Sequence, residues 1–117
     1  MKIKSSVFIV LLFLNSAVFS QVDTKDLLFR SNKLYNQGKI EEVIKLLEPT
    51  ITRKLLNREQ TFDAYRILAL SFMYSLNTEK TDYYIKEMLK LRVDYQKYPN
   101  IDPTEFTKLI NKYVVRP

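Results

Sequence analysis

Residues 64–91 carry the pattern of two amphipathic helices joined by a short turn, and this stretch constrains the fold most. The apolar side chains that lie on one face of the first helix are Phe62, Tyr65, Ala69, Phe72, Met73 and Leu76. Those on one face of the second helix are Tyr84, Ile85, Met88, Leu89 and Leu91. Either Asn77 or Thr78, in the turn between them, can cap the second helix. The stretch therefore predicts an antiparallel helical hairpin at residues 58–92.

A similar hairpin is predicted at residues 24–56. The apolar or small positions of its first helix are Leu27, Leu28, Ser31, Leu34 and Tyr35, and those of its second helix are Ile40, Val43, Ile44, Leu47 and Ile51. Asp23 or Thr24 can cap the first helix, and Gly38, the only glycine in the chain, suits the left-handed position after it. Because Pro49 has no N–H to donate, we expect the second helix to end or bend at about Glu48.

The rest of the chain after the two hairpins predicts a linker and a last helix. Asn57 and Gln60 have the spacing of a capping box at the start of the third helix. Residues 93–101 predict an extended linker, and Asp102, Pro103 and Glu105 have the order of a helix start. This start predicts a capping helix at residues 102–114, and its inward side chains are Phe106, Leu109, Ile110 and Tyr113. One glycine and four prolines disfavour an all-β fold, so we predict a single all-α domain at residues 21–117.

Residues 1–20 have the features of a signal peptide. Lys2 and Lys4 precede a short apolar run at residues 7–14, and residues 18–20 place small or β-branched side chains at the positions that a signal peptidase reads. The run is much shorter than the ~20 residues that a membrane-spanning helix needs. The sequence thus predicts export with cleavage after Ser20, and the alternative is an uncleaved N-terminal anchor. The absence of cysteine excludes attachment as a lipoprotein.

The composition excludes most catalytic chemistry. Without His or Cys, the chain has no imidazole base, no thiol nucleophile and none of the usual ligands for zinc or copper. A single glycine does not make a phosphate-binding loop. The remaining carboxylate pairs, Glu41 with Glu42 and Glu79 with Asp82, fall in first turns of helices, where acidic side chains stabilise the helix dipole. We expect no enzymatic activity, no cofactor and no metal site.

The chain has a formal net charge of +6, but its basic residues are scattered. One local group consists of Arg53, Lys54 and Arg58. A nucleic-acid-binding protein would show a basic stripe, so we expect no nucleic-acid partner. A weak attraction to a membrane surface or to an anionic cell-wall polymer remains an alternative.

The two hairpins repeat each other at a spacing of about forty residues, from Ser31 to Ser71 and from Val43 to Thr81. The pattern resembles tetratricopeptide repeats. The residues that carry this resemblance are Ser31, Tyr35, Gly38, Val43, Ile44 and Leu47 in the first hairpin and Ser71, Tyr74 and Thr81 in the second. The resemblance implies a fragment of a right-handed helical-repeat solenoid. Because solenoids usually need three repeats, we expect the capping helix to be required for stability.

A wider resemblance covers nearly the whole of residues 21–117. The order of residues is similar to that in the N-terminal repeat segment of Gram-negative envelope proteins, through Leu46, Leu47, Pro49, Ala64, Tyr65, Arg66, Leu68, Ala69, Ser71, Glu79, Lys80, Asp102, Pro103, Glu105 and Phe106. In those proteins the segment follows a signal peptide and often precedes another envelope domain. The resemblance implies a periplasmic or outer-membrane-associated location.

The repeat resemblance also implies a partner-binding face, because the first helix of each hairpin lines the concave side of such a solenoid. Placing Ser31 and Ser71 at equivalent positions puts on that face Lys25, Asn32, Tyr35, Asn36, Tyr65, Phe72 and Ser75. Aromatic side chains are large and rigid, and they are frequent in binding surfaces. The alternative is that the rings of Tyr35, Tyr65 and Phe72 only pack in the core. We expect a monomeric scaffold that binds a protein or peptide in the envelope.

Overall fold

The computed structural model describes residues 23–92 and 102–113. These residues form five helices and no strand, as the predicted all-α class requires: α1 Thr24–Asn36, α2 Ile40–Thr52, α3 Arg58–Tyr74, α4 Thr78–Leu91 and α5 Thr104–Tyr113. The predicted signal peptide at residues 1–20 and the predicted linker at residues 93–101 lie outside the described residues.

Side-chain caps begin three of the helices at the predicted places. The Asp23 carboxylate accepts a hydrogen bond from the N–H of Asp26 at 3.1 Å. Asn57 forms both arms of a capping box with Gln60, at 2.8 and 3.1 Å. The side chain of Asn77 likewise accepts a hydrogen bond at the start of α4. These caps satisfy N–H groups that have no partner within the helix.

Three helices end in the same left-handed turn. The residues with positive φ are Gly38 after α1, Lys54 after α2 and Leu76 after α3, at 77°, 56° and 61°. In each turn the next N–H donates to the carbonyl five residues back: Lys39 to Leu34, Leu55 to Thr50 and Asn77 to Phe72. The left-handed Gly38 confirms the prediction, whereas Leu76 contradicts its assignment to the inward face of α3. It lies beyond the helix end and is 89% exposed.

Helix α2 continues through Pro49 to Thr52, so it does not end at about Glu48; the alternative, a bend there, stays a prediction. Pro49 removes one hydrogen bond but is exposed, and Thr50 on the following turn is buried. The carbonyl of Pro49 accepts the N–H of Arg53 at 3.0 Å. Packing of this last turn outweighs the loss of a single backbone hydrogen bond.

Helix α3 is the centre of the domain. It packs against α1, α2 and α4, and α4 in turn packs against α5. The side chains of α3 that are buried include Ala64 and the continuous run of residues 67–72. The prediction of one apolar face for α3 was too narrow, because helices cover it on several sides.

A small hydroxyl side chain is buried in the first helix of each hairpin. Ser31 of α1 and Ser71 of α3 are fully buried. Each hydroxyl donates to the carbonyl four residues earlier in its own helix, at 2.8 and 2.7 Å. Their polar groups are therefore satisfied within the helix, and their small size leaves room for the neighbouring helix.

Helix α5 packs against α4. Phe106 and Ile110 are buried and Leu109 and Tyr113 are partly buried, so the predicted inward face is confirmed. Just before α5, the Asp102 carboxylate forms an ion pair with Arg66 of α3. The Asp102 side chain is 0% exposed and that of Arg66 is 16% exposed.

Candidate functional site

An aromatic pair joins α1 to α3 at the surface. The rings of Tyr35 and Tyr74 lie 6.2 Å apart between centroids, and Tyr74 is 54% exposed. Together with Asn36, Gly38 and Ile40, the two tyrosines line a cleft of about 390 Å³. The structure thus brings two of the predicted binding residues, Tyr35 and Asn36, together with an exposed ring that the prediction did not include.

A second cleft of about 430 Å³ shares Tyr74 as a wall. Three helices contribute to its lining, which consists of Met73, Tyr74, Leu76, Thr78, Thr81, Glu105 and Leu109. Most of this lining is apolar, and clefts of this size and character are common binding sites. We call the residues that line the two clefts the Tyr74 surface.

The hydroxyl of Tyr35 is held in its neutral form. The pKa of Tyr35 is raised to about 12, mainly by burial and in addition by charge repulsion and a hydrogen bond from the neighbouring Tyr74. The nearby Arg66 guanidinium acts in the opposite direction. At neutral pH the first cleft therefore presents phenol groups that donate and accept hydrogen bonds.

The stability of the protein should fall as the pH rises from 10 towards about 12. The folded chain keeps the Tyr35 proton in this range, whereas an unfolded tyrosine loses it near its ordinary pKa of 10. Deprotonation consequently favours the unfolded state. Thermal melts of wild type and Tyr35→Phe across this range should show a steeper decline for wild type. Tyr83→Phe, which alters an exposed ring, is the control; equal slopes for wild type and Tyr35→Phe would contradict the assignment.

Two other predicted binding residues, Tyr65 and Phe72, face α4. The Phe72 ring is 7% exposed and stacks on Tyr84 at 5.7 Å, while the Tyr65 ring lies 5.8 Å from the same tyrosine. Burial raises the pKa of Tyr84, and so does its 2.6 Å hydrogen bond to Glu48. These rings thus take part in the contact between α3 and α4, and Tyr65 also lines a third cleft of about 380 Å³ with Lys54. Whether the two rings contact a partner stays a prediction.

The remaining predicted residues lie apart from the two clefts. Ser75 caps the end of α3, and its hydroxyl donates to the Phe72 carbonyl at 3.1 Å. Lys25 and Asn32 are exposed on α1, where the Asn32 amide donates to the Leu28 carbonyl at 3.3 Å. Whether these residues contact a partner stays a prediction.

The Tyr74 surface contains residues that the sequence analysis did not assign to the candidate binding face. Tyr74 carried the repeat resemblance but was not assigned to a binding face. Leu76 was counted as core because it continues the apolar spacing of α3. The available signal was its position directly before the capping Asn77, where a helix has already ended.

Most of the charged groups named from the sequence are exposed. Glu41, Glu42 and Glu79 lie in first turns of helices, as predicted. Asp82 lies past the first turn of α4, contrary to the prediction, and is half-buried; its Oδ1 atom has no hydrogen-bond partner among the described residues. Among residues 23–92 and 102–113, no three potential metal ligands cluster. In the basic group, Arg58 donates to the Leu91 carbonyl at 2.6 Å, while Arg53 and Lys54 are exposed.

None of the helices in the described part of the chain is both long and apolar enough to span a membrane. No family model matches the chain, and no curated protein or solved structure matches it either. The tetratricopeptide-repeat resemblance therefore stays a prediction.

Proposed function

We propose that the protein is an exported, non-enzymatic helical-repeat module that holds protein partners together in the bacterial cell envelope. The observation that carries this proposal is the Tyr74 surface. Residues from all five described helices meet there around a tyrosine that is half exposed between two clefts. Exposed aromatic side chains beside preformed apolar clefts are a common feature of protein-binding surfaces.

The packing of the helices supports the tetratricopeptide-like part of the proposal. Helix α3 contacts both helices of the first hairpin as well as its own partner α4. Ser31 and Ser71 are fully buried in the first helices of the two hairpins, and Val43 and Thr81 are fully buried in the second helices. A stack of similar hairpins that contact their neighbours is the arrangement of a helical solenoid. Helix α5 then covers the last hairpin, as a terminal cap does.

The test is crosslinking of the protein to its partners in intact cells, followed by purification from envelope fractions. Tyr74→Ala is expected to reduce capture of the specific partner at least about fivefold, because it removes the wall that both clefts share. Tyr83→Ala is the matched control, since Tyr83 is 53% exposed but lines neither cleft. Unchanged capture by Tyr74→Ala, or a chain that stays in the cytoplasm, would contradict the proposal.

A second candidate function is anchoring to a membrane surface or cell-wall polymer through basic residues. The observation in its favour is that Arg53 and Lys54 are exposed side by side where α2 ends. Such binding would weaken strongly with added salt. Salt-sensitive pelleting with anionic vesicles or peptidoglycan that survives Tyr74→Ala would favour this function over the first.

A further inference from the structure

Leu76 combines two features that are each unfavourable for the isolated chain. Its φ of 61° lies in the left-handed region, which leucine avoids and glycine adopts freely. Its side chain is also 89% exposed, so burial within the chain does not compensate for the backbone conformation. At the equivalent turn of the first hairpin, Gly38 occupies the left-handed position. Glycine would therefore suit this turn better than leucine if the turn had only a structural role.

The Leu76 side chain lines the second cleft of the Tyr74 surface. Met73 and Tyr74 precede it at the end of α3, and Leu109 of α5 contributes from the other side. The unfavourable position thus places an apolar group in the wall of a preformed apolar cleft. Strained residues often occur where a side chain serves binding rather than folding.

The charge at the rim of the second cleft favours a basic partner over an acidic one. Among the described residues that line it, Glu105 is the charged one, and its side chain is 75% exposed. Lys108 lies 3.7 Å from it in an exposed pair one turn further along α5, a geometry that contributes little. A cation brought in by a partner can therefore approach Glu105 at small cost, whereas an acidic group would be repelled.

We propose that Leu76 is an anchor for a peptide segment of a partner protein that inserts an apolar side chain into this cleft and places a lysine or arginine beside Glu105. This inference rests on the proposed function and names the chemistry of the partner. The cleft of about 430 Å³ falls in the range that takes a small ligand or a few side chains. Burial of the partner's apolar side chain in the cleft supplies affinity. The carboxylate of Glu105 favours peptide segments that carry a basic residue next to that side chain.

The first experiment separates binding from folding. A displayed library of random short peptides is selected on the purified protein, and enriched peptides are synthesised for fluorescence anisotropy. Leu76→Gly is expected to raise Tm by about 4 °C and to weaken peptide binding at least about tenfold. Lys54→Gly, at another left-handed turn, should raise Tm similarly, and Tyr83→Ala, which removes an exposed ring outside both clefts, should leave binding unchanged. A variant that is more stable yet binds less well has lost a contact and not its fold.

The second experiment tests the charge preference. Selected peptides should carry a basic residue next to an apolar one, and Glu105→Gln should weaken them about threefold and reduce their dependence on salt. Acidic or uncharged consensus peptides would overturn the proposal. Equal binding by wild type and Leu76→Gly would do the same.

The outcomes also distinguish this inference from the proposed function. If peptides bind through Asn36 and Tyr35 and are indifferent to Leu76→Gly, the anchor is wrong and the binding module stands. If neither peptides nor envelope partners bind, both proposals fail. If size-exclusion chromatography shows a dimer that Leu76→Gly converts to a monomer, the occupant is a second copy of this chain and the peptide proposal is wrong.

Discussion

Replacement of Asp102 by alanine is expected to lower the free energy of unfolding by about 3 kcal/mol. The Asp102 carboxylate is fully buried against the guanidinium of Arg66, which is itself mostly buried. Removing the acid takes one carboxylate away from the Arg66 guanidinium, which stays in a poorly solvated position. Breaking one side of a buried ion pair costs more than the pair contributes as a whole, because the remaining charge keeps its desolvation penalty.

Urea denaturation followed by circular dichroism measures this effect. Glu105→Ala is the control on the same segment, since that carboxylate is exposed, and its effect should stay within about 0.5 kcal/mol. The double variant Arg66→Met with Asp102→Leu should recover much of the loss, because it removes both charges together. A loss below about 1 kcal/mol in Asp102→Ala would show that the pair is solvated in solution.

The ion pair also determines how α5 is held. Asp102 directly precedes α5, while Arg66 lies in the middle of the central helix. The pair therefore ties the start of the capping helix to α3, and Phe106 and Ile110 bury its inward face. Local opening of α5 is expected to be more frequent in Asp102→Ala, and amide hydrogen exchange in residues 104–113 reports it.

Replacement of Leu68 by alanine is expected to cost about 3 kcal/mol of unfolding free energy. Leu68 is fully buried near the middle of α3, the helix that packs against three others. Truncation removes apolar contacts and leaves a cavity that the surrounding helices fill only partly. For a domain of this size, such a loss is a large share of the total stability.

Chemical denaturation of Leu68→Ala beside Leu76→Ala provides the comparison. Both substitutions shorten a leucine, and the two leucines are eight residues apart in the chain. Leu76, however, is exposed beyond the helix end. Leu76→Ala should therefore change the free energy of unfolding by less than about 0.5 kcal/mol. Similar effects of the two substitutions would mean that α3 is not enclosed by its neighbours.

The local signals of the sequence predicted the starts of the helices and the end of α1 well. The Asn57 capping box, the Asn77 cap and the left-handed Gly38 depend on residues within one turn of each other. Backbone hydrogen bonding at a helix end involves only such near neighbours, so the sequence carries the information directly. The inward face of α5 was also correct, because that helix is covered on one side and keeps a simple amphipathic period.

Two local rules failed where packing or the course of the chain outweighed them. The sequence around Pro49 indicated a helix end, but burial of Thr50 in the next turn keeps α2 helical. Leu76 continues the apolar spacing of α3, but it lies in the left-handed turn after the helix end. Periodicity alone does not report where a helix stops, and a proline rule does not include tertiary contacts.

The candidate surface around Tyr74 was predictable only in part. Tyr35 and Asn36 followed from the repeat spacing, but Tyr65 and Phe72, predicted from the same spacing, pack against Tyr84 of α4. The aromatic side chains of a helix are exposed or buried according to which neighbouring helices cover that face. That information lies in contacts between residues far apart in the chain.

The sequence by itself determined that this chain forms helices, where most of them begin, and which chemistries its composition disfavours. The tertiary structure decided that Arg66 meets Asp102 and that Tyr74 stands between two clefts. The physical reason is the distance along the chain over which each kind of interaction acts. Helix propensity, capping and dipole effects act within a few residues, whereas clefts and buried ion pairs arise from the packing of whole helices.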